Sequence, residues 1–528
     1  MINKINMLTS ETPAYPWVNH NGISFRGWFM ADGIVYRGET ALQFWANIKD
    51  ARQLQQRLRQ INGCFSLVIE TAETVFLCVD RLRSFPLFYC VHHGEFLVSN
   101  TVESIRNHMQ EISYDDTAME DYRTSVLFCT GKYTMIKGVF GVQAGELLQL
   151  DRTTGDTQAL FYFSHAHEDF FVGSELELKE PFEDAYRTVV RNMIAVLQGR
   201  TAVIPLSGGA DSRMILKMLL NEKYDKIICY SYGKTGNSES RVSKEVADRF
   251  GCAWHMIPYT AKKWRKLETS GEIACYFTYA GNYTSLPHIQ DLPAVKELKD
   301  NHSIPDDSVF IPGHSGDLIA GSHITEDFLG TGIMDRAQLL EAVTYKFYKV
   351  KQIPASLRQR ISEGVSGNAD FSMEDAASEA ERFNIRERQA KFIVNSVRAY
   401  EFYGYEWLIP LWDNALFDFW KRVPIPLRFQ RKLYFTCVNN EGLRSTNDPS
   451  TYKNIENWIR KNPVFTTIAR RTARLVEYKT SPLQMNGIIS FPKYLKMIAK
   501  GNETFTSNNI IAMKYLDWME NKQDHVKR

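Results

Sequence analysis

The stretch Thr201–Leu220, TAVIPLSGGADSRMILKMLL, constrains the fold more than any other part of this chain. A β-branched apolar run ends in Ser-Gly-Gly, and an amphipathic helical pattern opens at Asp211. A strand that turns directly into a helix belongs to a parallel sheet with helices on its faces. The turn is also suited to phosphate. Gly208 and Gly209 let backbone N–H groups come close to a polyphosphate, Ser207 and Ser212 offer hydroxyls, and the helix N-terminus adds a partial positive charge. Asp211 would repel phosphate unless a cation bridged the two. Mg²⁺ does so, because it takes one or two carboxylates together with phosphate oxygens. A tight strand-to-helix turn without a ligand is the alternative reading of the same residues.

The 528 residues leave room for two to four domains at roughly 100 to 200 residues each. Residues 24 to 150 carry short strand-like segments at turn-separated spacing, among them Cys64 to Glu70, Val75 to Val79, Leu87 to Val91 and Glu95 to Val98. From about Asp184 apolar strands alternate with longer helical patterns, and residues 376 to 425 read as helices. The expected division is therefore an α+β unit over 1–170 and an α/β unit with a helical C-terminal part over 181–528. The acidic, polar stretch HAHEDFFVGSELELKE joins them.

Hydrophobic residues make up 44% and charged residues 23%, so sizeable cores can form and disorder is excluded. With 63 basic and 61 acidic residues, the formal charge of +2 gives no field that would recruit nucleic acid or an anionic membrane. The eight cysteines form no C-x-x-C pair and mostly sit in apolar runs, so they are expected to be reduced and buried. No basic-then-apolar start and no eighteen-residue apolar run occurs, and the expected compartment is the cytoplasm.

SGGADS resembles the S-G-G-x-D-S signature of the pyrophosphate-loop ATPases, which split ATP between the α and β phosphates. The resemblance implies nucleotide contacts from Leu206, Ser207, Gly208, Gly209, Asp211 and Ser212. KIICYSYG, residues 226 to 233, resembles the second strand of that fold, with backbone near Tyr232 against adenine. Three further matches are similar to the asparagine synthetase and β-lactam synthetase branch. Phe310 to Gly321, FIPGHSGDLIAG, resembles the S-G-E-G-S-D-E-L-F-G-G loop. By that likeness Pro312 and Gly313 lie against the nucleotide, and Asp317 supplies the second carboxylate to Mg²⁺ opposite Asp211. His314 stands where relatives carry a glutamate, and imidazole can take a proton from an attacking amine. A structural loop histidine is the other reading.

Arg398 to Asp413, RAYEFYGYEWLIPLWD, resembles R-x-x-M-x-x-x-x-E-x-R-x-P-F-L-D, with Arg398, Glu406, Pro410 and Asp413 in register. The likeness implies that Glu406 orients His314; a helix-end ion pair is the alternative. Leu408 replaces the family's arginine. LRQINGCFSLVIE, DRLRSFPLFY and GEFLVSN resemble the family's glutaminase-like domain, an Ntn-hydrolase-like α+β sandwich. Its nucleophile is an N-terminal cysteine. Here Ile2 follows Met1 and the first cysteine is Cys64, so nitrogen is expected as ammonia or a second substrate's amine.

Relatives place a late lysine on the pyrophosphate, and Lys453 is the candidate, with Lys432 and Arg444 as competitors. Asn282, His288, Gln290 and Asp291 are expected to face the acid, unless they form a buried polar tie between loops. The implied function is an ATP- and Mg²⁺-dependent amide-forming ligase with small-molecule partners, no nucleic acid or membrane partner, and a homodimer as a compatible assembly. Asparagine synthesis proper, a thiolating or tRNA-modifying enzyme, and a degenerate nucleotide-binding scaffold stand as alternatives.

Overall fold

A computed structural model describes residues 2, 4–12, 14–109, 111–125, 127–348, 353–439, 483–489, 492 and 507–526. The N-terminal half stacks two sheets. One holds strands Thr157–Phe161, Glu146–Asp151, Thr74–Val79, Asn62–Glu70, Ile23–Ala31 and Val18–His20 in that spatial order, antiparallel throughout. The other runs Lys4–Met7, Glu95–Ser99, Phe88–His92 and Phe140–Gly141. Alternating side chains face opposite ways along a strand. Phe65, Leu67 and Ile69 accordingly meet Leu42, Trp45, Leu54 and Leu58 of the covering helices, while Val68 packs with Leu77, Tyr89 and Phe96 between the sheets. A helix-covered pair of stacked sheets is the α+β sandwich expected from the sequence.

The C-terminal half carries one parallel sheet. Its strands are β1 (Ala202–Pro205), β2 (Ile227–Gly233), β3 (Ala253–Pro258), β4 (Val309–Phe310) and β5 (Glu406–Trp407), in the order β3-β2-β1-β4-β5. Helix α1 (Ala210–Asn221) leaves β1 and buries Met214, Ile215, Leu216 and Leu219. Strand order reverses beside β1, which has β2 on one side and β4 on the other. In such sheets the ligand crevice opens at the carboxyl ends of the strands on either side of the reversal. Both phosphate-loop candidates, after β1 and after β4, therefore reach the same crevice.

The two halves are tied by buried polar contacts. The Tyr15 hydroxyl donates to the Trp407 carbonyl at 2.5 Å, Asn62 Nδ2 donates to Asp413 at 2.7 Å, and Arg398 donates to the Ser84 carbonyl. Arg398 also pairs with fully buried Glu401 at 2.5 Å. Arg398 and Asp413, two of the residues that keep register with the family motif, thus fasten one half to the other. Of the eight cysteines, all free, Cys275 is exposed and Cys252 half-buried, contrary to the expectation of uniform burial. Cys275 lies on the outward face of helix Glu272–Gly281.

Candidate active site

The loop after β1 closes on itself. Ser207 N–H donates to Ser212 Oγ at 3.2 Å, Gly209 N–H donates to Ser207 Oγ at 3.1 Å, and Arg213 Nε donates to the Gly209 carbonyl at 2.9 Å. The loop after β4 packs directly on it. A Cβ at Gly313 would stand 2.7 Å from the Ser212 nitrogen, and one at Gly316 2.6 Å from Asp211 Cγ. Only glycine permits that approach. Between them Ser315 adopts φ 69°, a left-handed conformation that costs a non-glycine residue about 1 kcal/mol, and its hydroxyl is anchored on Gln389 Oε1 at 2.7 Å.

This packing brings Asp211 and Asp317 together, with the Asp317 backbone N–H on the Asp211 carboxylate. Burial raises Asp211 to about 6, the hydrogen bond from Tyr434 opposes the rise, and the charge of Asp317 adds to it. Two carboxylates at the glycine-lined meeting of two loops form a donor set that fits a hard divalent cation. Tyr232, at the carboxyl end of β2, stacks on Tyr259 with ring centroids 5.0 Å apart. Pro312 is buried at the foot of the second loop.

His314 lies in the same crevice, but Glu406 does not orient it. Glu406 is level with Val309 and Ala202, at the amino end of the sheet. Ser207 follows Ala202 by five residues, which puts the phosphate loop about 15 Å farther along. Glu406 instead binds Arg37 at 2.5 Å and Arg200 at 2.8 Å, an ion-pair set made from strand β5 and not from a helix end. The neighbour of His314 is Ser396, whose Oγ lies 3.0 Å from Nδ1 and 3.3 Å from Nε2. That hydroxyl donates to the Ile393 carbonyl at 2.6 Å and thus accepts from the ring. Burial pulls His314 down to about 4 against the raising effect of Asp317, leaving a neutral imidazole at neutral pH.

Lys453 and Arg444 lie outside the described residues. Lys432 is 59% exposed and pairs with Glu175. The expected substrate wall divides. Asn282 is buried and accepts from Val102 N–H at 3.1 Å, a tie to the N-terminal half. Asp291 is buried beneath the Tyr230 hydroxyl, and burial raises it to about 7. Both are held in buried polar contacts, and Asp291 bonds Tyr232 as well as Tyr230. His288 rests on Phe392 with ring centroids 5.6 Å apart, and Gln290 Nε2 donates to Asn508 at 3.2 Å.

One cluster had no signal beyond scattered histidines. His165 and His167, from the stretch expected to be a polar linker, are buried with His323 around Glu381. Arg428 grips both oxygens of that carboxylate, at 2.8 and 2.6 Å, and donates to the Ile319 carbonyl at 2.7 Å. Three of these groups are close enough to hold a metal. The bidentate guanidinium already occupies the carboxylate, and the cluster is a polar knot beneath the second loop.

No protein-family profile matches the chain. It is 20% identical over 292 residues to the Microcin J25-processing protein McjC of Escherichia coli, covering 54% of this chain and 52% of that protein. It is 25% identical over 194 residues to the carboxyethyl-arginine β-lactam synthase of Streptomyces clavuligerus, covering 36% and 34%. The chain is thus similar, at low identity and over part of its length, to two proteins of the asparagine synthetase-like kind that its loop motifs resemble. It spans about half the length of the first of these relatives and about a third of the second. Among solved structures, the glutamine phosphoribosylpyrophosphate amidotransferase of B. subtilis gives a TM-score of 0.19 at 8% identity, over 46% of this chain and 72% of that one. The glutamine-dependent NAD⁺ synthetase of Acinetobacter baumannii gives 0.20 at 11%, over 60% and 74%. Likenesses this low add nothing to the assignment.

Proposed function

We propose that the chain is an ATP-dependent ligase that activates a carboxylic acid as its adenylate, releases pyrophosphate, and passes the acyl group to an amine or ammonia. The observation that carries this reading is the convergence of Asp211 and Asp317 where two glycine-rich loops meet. Bound Mg²⁺ would neutralise polyphosphate charge there, with Asp211 and Asp317 as its protein ligands. Residues 206 to 209 and Ser212 hold the phosphates through backbone N–H groups and hydroxyls, and Tyr232, Pro312 and Gly313 line the nucleoside side. His314 accepts the amine proton through whichever ring nitrogen does not donate to Ser396. A β-lactam is a cyclic amide, so the name of the Streptomyces relative fits the same bond.

We take the chain as two units, 1–170 and 181–528, acting in the cytoplasm on small molecules. A homodimer is the assembly to be checked by light scattering. The described residues include no helix long and apolar enough to cross a membrane. The N-terminal unit is proposed to lack glutaminase activity. Cys64 is enclosed in a strand, where burial pushes its thiol well above the ordinary range, away from the thiolate a nucleophile requires. The test is ATP–pyrophosphate exchange across a panel of acids. AMP and pyrophosphate are expected, and both should vanish in Asp211→Asn and Asp317→Asn with the fold retained. Formation of ADP and phosphate would refute the reading.

A further inference from the structure

Beside the second loop lies a cavity of about 450 Å³. That is the size of a small-molecule site. One wall is a single helical face: Asn384, at the end of helix α2 (Met373–Asn384), then Arg388, Gln389 and Phe392 in the widened π-helical turns of Ile385–Ile393. Such widened turns concentrate at functional sites because they turn extra side chains to one face. The wall is joined to the catalytic loop. Gln389 accepts from Ser315 at 2.7 Å and donates to Asn384 at 3.2 Å, and Asp317 is among the cavity's lining residues.

The charges of this cavity are unequal. Asp317 is the only carboxylate among the described lining residues; it accepts from Ser322 Oγ at 3.0 Å, and its charge acts on Arg388 without forming an ion pair with it. His323 is turned to Glu381. Lys346 and Arg388 bring two cationic side chains to the same space. No described carboxylate forms an ion pair with Arg388, whose guanidinium lies 5.8 Å from the Phe392 ring centroid. A half-buried guanidinium beside a ligand-sized space, with amides from Asn384 and Gln389 next to it, matches the planar two-oxygen geometry of a carboxylate.

We propose that this cavity receives the acid substrate, and that Arg388 holds a second carboxylate of that substrate, distinct from the one that is activated. The inference rests on the ligase reading above. Its consequence is selectivity for diacids over monoacids of equal length.

The probes are glutarate and valerate, which differ in one terminal carboxylate. Binding of each to the full chain is measured by calorimetry with Mg²⁺ and α,β-methylene ATP, for wild type, Arg388→Ala, Arg388→Gln and Arg388→Lys. Glutarate is expected to bind at least about tenfold more tightly than valerate to wild type, the order of one charge-assisted pair. The preference should vanish in the alanine and glutamine variants and persist in part in the lysine variant, with nucleotide affinity unchanged. Circular dichroism confirms that each variant is folded. Equal binding of the two acids to wild type, or an undiminished preference in both Arg388→Ala and Arg388→Gln, overturns the proposal. Weakened nucleotide binding in those variants also overturns it, since Arg388 would then be a phosphate ligand. Failure of wild type to bind α,β-methylene ATP would count against the ligase reading instead, while the acid preference is still read without nucleotide.

Discussion

Tyr434 donates its hydroxyl to Oδ1 of Asp211 at 2.5 Å, across 223 residues of sequence. The contact ties a C-terminal helix to the first turn of α1 and opposes the rise of the Asp211 pKa to about 6. A carboxylate raised from 3.8 favours its protonated form in the fold, so its contribution to stability is full below 3.8 and is lost as pH rises through about 6. Cation binding needs the ionised form. Mg²⁺-dependent nucleotide affinity should therefore climb as pH rises through about 6. Tyr434→Phe should move that midpoint up by about one unit, the worth of one hydrogen bond to a charged group. Calorimetry between pH 5 and 8 reads the shift, and an unmoved midpoint would show that Tyr434 does not act on Asp211.

His314→Ala should slow transfer of the acyl group to the amine by about 10² to 10⁴, the span of one general base, with adenylation nearly unchanged. Ser396→Ala should slow the same step by about tenfold, because the imidazole loses the acceptor that selects its tautomer. With His314 near 4, its own titration should add no pH dependence to the transfer step between pH 6 and 8, where the rate follows the free-base fraction of the amine. A pulse of ATP and acid followed by an amine chase separates the two steps. Loss of adenylation in His314→Ala would make it part of the nucleotide site.

Glu406→Gln should leave both chemical steps within about twofold of wild type and lower stability by about 1 kcal/mol, as for a partly exposed ion pair. Its carboxylate serves Arg37 and Arg200 at the amino edge of the sheet. Denaturant unfolding together with pyrophosphate exchange tests this, and a selective loss of amide formation would restore Glu406 to the catalytic group.

Glu381→Gln should cost about 3 to 5 kcal/mol, because Arg428 would remain buried without its counter-charge. Burial alone would raise Glu381, but Arg428 and His167 outweigh it and hold the carboxyl well below its ordinary range. Burial lowers His165 and His323, with Glu381 partly opposing. Depressed pKa values of both kinds favour the deprotonated fold. The contribution of the histidines is full above their unfolded value of 6.5 and is lost as pH falls below it; that of Glu381 is lost below 4.5. Between pH 7 and 5 the melting temperature of wild type should thus drop relative to that of His165→Gln, on top of the opposite trend from buried carboxyls such as Asp211 and Asp291. An identical slope in the two would disprove the assignment.

The phosphate loops were legible in the chain itself. Glycine, serine and aspartate spacing at residues 207 to 212 and 313 to 317 specifies local backbone conformation and hydrogen bonding, which need few distant partners. The alternation of strand and helix likewise announced the parallel sheet. The role of Glu406 was not legible. A motif places a residue in sequence, whereas the register of β5 against β4 decides which end of the sheet it occupies, and a few residues of register separate a catalytic partner from an ion pair at the opposite edge. The histidine knot around Glu381 and the tie from Tyr434 to Asp211 were hidden for the same reason. Their partners lie 47 to 223 residues apart, and close-range electrostatics depends on distances that exist only once the chain is packed.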